Sequence, residues 1–294
     1  MDSTAAGCSI LAPSMLILLT NDDGIQAPGI VAMYRELVKL GEVHVVAPET
    51  VQSATGHGIT ISAPLLTNRV TVENAFTGIA VDGRPADCVK LAIAKLLPRA
   101  PDLVVSGMNH GTNVGINVIY SGTVAAAIEA AFLGLPSIAV SLLLKNDVPV
   151  DHASGAALAL DAIKLVLDTG LKPGQVVNIN IPALRAGESP AGISFVRQCT
   201  RPWVDTYEQR KDPRGRDYFW NSSVFKLGDT DDDTDVAALR DNQITITPLQ
   251  FDLTDHALLK QMEQAAARHT KQHGPANRTD VKGNEASLTQ QAKG

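Results

Sequence analysis

The chain has 294 residues, 45% of them hydrophobic and 19% charged, with a net charge of -6. That length buries a full core in one large domain, and the acidic balance leaves no basic footprint for a nucleic-acid polymer. Three scattered cysteines, Cys8, Cys88 and Cys199, carry no CxxC spacing and suit a reducing compartment rather than zinc or redox work.

The opening MDSTAAGCSILAPS lacks the basic and apolar regions of a signal peptide, and the apolar run Met15–Leu19 is too short to span a membrane. We therefore expect a cytoplasmic protein with a disordered extension over 1–14. Periodic signals begin at Met15. Residues 15–20 (MLILLT) read as a strand buried on both faces, 28–40 as a helix, and 42–47 (EVHVVA) as a second strand. Residues 58–82 suggest an inserted hairpin. A proline-opened helix follows at 85–97, then a strand at 102–106, a helix at 122–133 ended by Gly134, and a strand at 137–143. Helix 154–168 and strand 176–181 complete an α/β core over 15–190.

Segment 192–227 is too aromatic for a linker and too irregular for a helix, so it is read as a protruding β-rich arm. Within 191–270 the chain then returns as a strand at 243–249 and a helix from about Thr254. The polar tail 271–294 is expected to be disordered. Alternating strands and helices predict a Rossmann-like three-layer fold with a mostly parallel sheet, whose ligands sit beyond the carboxyl ends of the strands. TNDDG, APETVQSATG and SGMNHGTNVG each follow a predicted strand and so share one rim.

Asn21, Asp22, Asp23 and Gly24 alone make an ordinary turn. At the end of a central strand, however, two adjacent carboxylates repel and offer hard oxygen ligands for Mg²⁺ or Mn²⁺. Asn109 and Asn113 lie in a glycine-rich stretch whose amides can meet a metal or phosphate. Ser121, Gly122 and Thr123 open an alanine-rich helix, where free N–H groups and hydroxyls favour an anion. A plain Ser121 cap explains part of this. Ser53 is an ordinary loop serine when taken alone, and His57 is read as structural or solvated rather than as a general acid.

The fingerprints GxGxxG, GxxxxGK[ST] and GxSxG are all missing. DTDDDTD (229–235) lacks the glycine and the final carboxylate of a calcium loop, and reads as an acidic turn capping a short helix. An aspartyl-phosphate phosphatase would carry DxD after its first strand, but Gly24 holds the third place.

Taken together, MLILLTNDDGIQAPGI, the Ser53 loop, RPADCVKLAI, PDLVVSGMNHGTNVGINVIYSGTVAAA, GLPSIAVS, VNINIP, DPRGRDYFW and ITPLQFDLTD resemble the SurE family over roughly residues 15–260. GHGITISAPL and the extension before Met15 look more like its plant branch. The resemblance implies a metal-dependent 5'/3'-nucleotidase with acid phosphatase activity, and one divalent ion per subunit held by Asp22, Asp23, Ser53 and Asn109. Either aspartate, Asp22 foremost, could also serve as general base or nucleophile. Asn21, Asn113, Ser121, Gly122 and Thr123 are expected at the phosphate. The resemblance further implies a C-terminal arm exchanged between subunits in homodimers or homotetramers. Where many bacterial members read RSG, this chain reads QSA, with Gln52 in place of a basic residue. The alternative is a non-catalytic nucleotide-binding stress protein whose site has decayed.

Overall fold

The computed structural model describes residues 15–202, 205–221 and 230–273. The expected extension over 1–14, the tail beyond 273 and part of the arm lie outside them. Strand β1 (Met15–Thr20) pairs in parallel with β2 (Gly41–Pro48) on one side and β5 (Leu103–His110) on the other. Leu16 to Leu19 are all essentially inaccessible, as a strand covered on both faces requires. Beyond β2 lie β4 (Phe76–Val81) and β3 (Thr67–Val72), the hairpin expected within 58–82. Beyond β5 lie β6 (Ser137–Leu142), β7 (Val176–Ile181), β11 (Gln243–Leu249) and β8 (Gly192–Phe195).

The full order is β3-β4-β2-β1-β5-β6-β7-β11-β8. The six strands from β4 to β7 run parallel, while β3 and β11 are antiparallel to their inner neighbours. This is the doubly wound α/β arrangement. Its order reverses between β1 and β5, which opens a crevice at their carboxyl ends.

Helices α1 (Pro28–Leu37) and α4 (His152–Asp168) cover one face, and α2 (Pro85–Leu91) and α3 (Gly122–Phe132) the other. Helix α1 stops three residues short of its expected end. Lys39 and Leu40 close a tight turn onto Glu36 and Leu37, so that Gly41 can pair with Met15. A side chain at Gly41 would place Cβ 2.1 Å from the Met15 carbonyl oxygen. The expected helix 85–97 also divides. After Leu91 it widens into a π-turn, Ala92–Leu96, closed by the Leu97 N–H on the Ala92 carbonyl.

Strand β5 runs on to His110 rather than ending at Ser106. It carries a bulge between Ser106 and Asn109, where three residues on β5 span two on β6. Asn109 therefore sits at a strand end, not in a free loop.

The expected arm is less uniform than its composition suggests. Its first part, β8, joins the main sheet, whereas β9 (Tyr207–Lys211) and β10 (Asp217–Asn221) form a separate exposed hairpin. The acidic turn before helix α5 (Asp235–Arg240) caps it through Thr234, and Asp231 and Asp233 bind Arg197, but Asp235 is buried and accepts the Gly115 and Cys199 N–H groups. Residues from Asp252 form a second unit, whose described part, 252–273, contains helix α6 (His256–His273). No helix among the described residues is long and apolar enough to cross a membrane.

Candidate active site

Asn21–Gly24 leaves β1 at the crevice between β1 and β5. The Asn21 amide donates to the Gly24 carbonyl (2.8 Å), and Gly24 adopts a φ of +94° that favours glycine. This tight turn buries Asp22, which is 5% exposed, and leaves Asp23 partly open.

Helix α3 meets Asp22 head-on. The Thr123 hydroxyl donates a hydrogen bond to Asp22 Oδ1. A Cβ built on Gly122 would lie 2.8 Å from Asp22 Cβ and 3.0 Å from Oδ2. Only glycine lets the helix end come so close. Burial dominates the chemistry of this carboxyl and raises its pKa to about 6; the Thr123 hydroxyl opposes that shift and the charge of Asp23 adds to it.

Asp23 is held from the other wall, with its Oδ2 accepting the His110 N–H at 2.8 Å. The bulge in β5 thus brings the Asn109–His110 segment to Asp23. The Asn109 amide N–H donates to the Gly111 carbonyl (2.8 Å). The loop after β2 arrives through the Gln52 N–H, which donates to the Asp22 carbonyl (2.7 Å) and sets neighbouring Ser53 beside the aspartate turn in an exposed position. Asp22, Asp23, Ser53 and Asn109 accordingly come from two loops and the end of β5, tied by the Gln52 N–H on the Asp22 carbonyl and the His110 N–H on the Asp23 carboxylate.

The expected phosphate residues divide. Gly122 and Thr123 form the helix end against Asp22. Ser121 caps α3, its hydroxyl accepting the Val124 N–H (3.0 Å). Asn113 turns inward: its amide donates to Ser141 Oγ (2.8 Å), while Asn178 and Asn180 hold its backbone. It anchors the loop below the rim. Asn21 shapes the turn.

The donor set fits a hard divalent cation. Two carboxylates share one turn, and the buried one resists ionisation without a counter-charge. Thr20 Oγ1 and Asn21 Oδ1 at the end of β1, and Ser106 Oγ opposite Thr20 at the start of the β5 bulge, are buried and have no hydrogen-bond partner among the described residues. No cluster of three or more His, Cys, Asp or Glu suited to a metal occurs among those residues. A site of two aspartates, a serine and an asparagine is of a different kind. A separate cavity of about 80 Å³, flanked by Leu142, Ser154, Leu158 and Ile181, opens beside β6 and β7 and includes neither aspartate.

Sequence reasoning noted Gln52 only for its side chain, in place of a basic residue, and did not single out His110. Both act through backbone N–H groups, which every residue but proline carries, so no side-chain pattern marks them.

A doubly wound α/β protein with a carboxylate pair and a helix N-terminus at its switch point is the class that fold and site define. The family model for the survival protein SurE matches residues 17–205. The 5'-nucleotidase SurE of Moorella thermoacetica is 45% identical over 265 residues, 90% of this chain and all of that protein. That of Nitratidesulfovibrio vulgaris is 48% identical, covering 82% of this chain and 89% of its own. The crystal structure of the SurE protein from Aquifex aeolicus superposes with a TM-score of 0.74 at 36% identity, covering 85% of this chain and 99% of that one. The chain belongs to the SurE family.

Proposed function

We propose that this chain, a phosphoric monoester hydrolase of the SurE family, releases phosphate from nucleoside monophosphates at the Asp22–Asp23 turn with the help of Mg²⁺ or Mn²⁺. The observation that carries the reading is a buried carboxyl, its pKa raised to about 6, pressed between a second carboxylate and the N-terminus of α3. Relatives named 5'-nucleotidase SurE, matched over nearly the whole chain, support the substrate class.

Asp22, Asp23, Ser53 and Asn109 would hold the ion. When bound, it supplies Lewis-acid polarisation of a phosphoryl oxygen. The chain's own groups do the rest. The Thr123 hydroxyl fixes the rotamer of Asp22, and the His110 N–H fixes Asp23. The free N–H groups of the first turn of α3 face an incoming phosphate and stabilise its growing negative charge. Of the two aspartates, Asp22, whose carboxylate Thr123 holds beside Asp23, is assigned the further role of general base or nucleophile. Asn113 secures the loop from beneath.

The enzyme acts in the cytoplasm as a homodimer or homotetramer. The β9–β10 hairpin supports such assembly, because it exposes Tyr207, Phe219 and Trp220 and a lone two-stranded hairpin is marginal in water.

Phosphate release from 5'-AMP, 3'-AMP and p-nitrophenyl phosphate, each with Mg²⁺, Mn²⁺ or EDTA, tests the proposal. Metal-dependent release from a nucleotide, abolished by EDTA, is expected. Release from none of them would leave a nucleotide-binding protein without turnover. Asp22→Asn should lower kcat by more than 100-fold in a folded protein. Activity within about tenfold of wild type would remove Asp22 from the chemistry.

A further inference from the structure

Glu129 lies two turns along α3 from Gly122, in an alanine-rich stretch, and is 5% exposed. A buried carboxylate is costly unless paired. Burial pushes Glu129 up, but hydrogen bonds from His57 and Lys90 more than offset it and keep the group ionised. Its two donors come from different elements. Lys90 Nζ reaches Oε1 from α2 at 3.1 Å, and His57 Nε2 reaches Oε2 from the connection between β2 and β3 at 2.7 Å. Because the carboxylate can only accept, the imidazole donates. The His57 ring also stacks on Phe132, 5.1 Å away and 7° from parallel.

That connection, residues 49–66, carries Ser53 and has no regular structure of its own. It has little apolar glue, since Val51, Ile59 and Ile61 are all exposed. Glu49 and Leu66 fix its two ends by backbone bonds to Val81 and Asp82; between them, besides His57, three ties to the rest of the protein fasten it: the Gln52 N–H on Asp22, the Gly56 N–H on the Tyr120 carbonyl, and Thr60 on Asp87. Between Gln52 and Thr60, His57 alone among the described residues ties the loop to the core through a side chain. The same helix that presses on Asp22 therefore also holds the loop bearing Ser53.

We propose that His57, seated on Glu129, is a positioning residue that latches the Ser53 loop onto the aspartate turn. This rests on the metal reading above, since its benefit is a fourth oxygen held ready for the ion. Loss of the latch frees the loop without touching Asp22 or Asp23.

The test compares wild type, His57→Ala, His57→Gln, Glu129→Ala and Lys90→Ala. Amide hydrogen exchange over residues 50–60 is measured in metal-free protein, and Mn²⁺ affinity by calorimetry. His57→Ala should speed exchange in that peptide and weaken Mn²⁺ binding about tenfold, the usual cost of losing a group that orients a ligand. His57→Gln, which restores an N–H donor, should recover most of both. Lys90→Ala contacts Glu129 but not the loop, and should leave exchange over 50–60 unchanged. Unchanged exchange and affinity in His57→Ala, or equal loosening in Lys90→Ala, would overturn the latch. Should His57→Ala fail to fold, Glu129→Ala, which removes the acceptor, decides by the same two readouts. If wild type binds no Mn²⁺, the metal reading fails, and the latch then stands or falls on exchange alone.

Discussion

Asp22 carries a pH signature of its own. Burial raises its pKa to about 6 in the folded protein, whereas in the unfolded chain it titrates near ~4. The folded state binds that proton more tightly, so protonation favours folding. The stabilisation is complete below about pH 4 and is lost as pH rises through 6, a change of ~3 kcal/mol. In EDTA, Asp22→Asn should remove this dependence. Its stability relative to wild type, measured by urea denaturation, should rise by ~2–3 kcal/mol from pH 4 to pH 7. A constant difference across that window would show that Asp22 is not strained. Gly122 tests the same contact sterically. Gly122→Ala suits a helix but drives Cβ to 2.8 Å from Asp22 Cβ. Melting temperature should hold within a few degrees while kcat falls at least about tenfold, as a displaced carboxylate demands. Wild-type kcat would mean that the clamp is loose.

At the level of elements, α3 separates two roles that its first residues share. Ser121 caps the helix through Val124, and it was also expected at the phosphate. Ser121→Asp keeps a good cap and adds a negative charge, so it should preserve stability while raising KM for a nucleotide. Ser121→Ala should cost ~1 kcal/mol of stability. If Ser121→Asp leaves KM alone, the serine is a cap and nothing more. The elements themselves were largely legible because periodicity is local. MLILLT could only be a doubly covered strand, and Pro85 and Gly134 punctuated helices where they stand. The exceptions were non-local. Helix α1 ends at Leu37 because β2 must begin opposite Met15, and β5 continues past Gly107 because β6 offers it partners. Neither constraint is visible within a window of a few residues. The candidate site was legible as residue types, but its assembly was not. Nothing in the spelling of Asn113 says that its amide turns toward Ser141, nor does anything mark the Glu129 carboxylate as the seat of His57.

Across the whole molecule, the β9–β10 hairpin is the feature most open to test. Its strands expose aromatic side chains and pair with nothing in the main sheet among the described residues. Replacing 205–221 by a short glycine-serine linker should yield a smaller species by light scattering, with the circular dichroism of the core retained. An unchanged assembly state would show that the hairpin holds no subunit contact.

The crevice between β1 and β5 also sets the order in which the site comes into being. Asp23 reaches its partner His110 across 87 residues of chain, and Asp22 reaches Thr123 across 101. A nascent chain ending near residue 120 already contains both aspartates, Ser53 and Asn109, yet lacks the helix end that clamps Asp22. Such a fragment holds all four proposed ligands in an unfinished geometry. Synthesis must pass α3 before the carboxylate pair can be brought to bear on a substrate, so phosphatase activity should return during refolding only when the central strands and α3 have docked together.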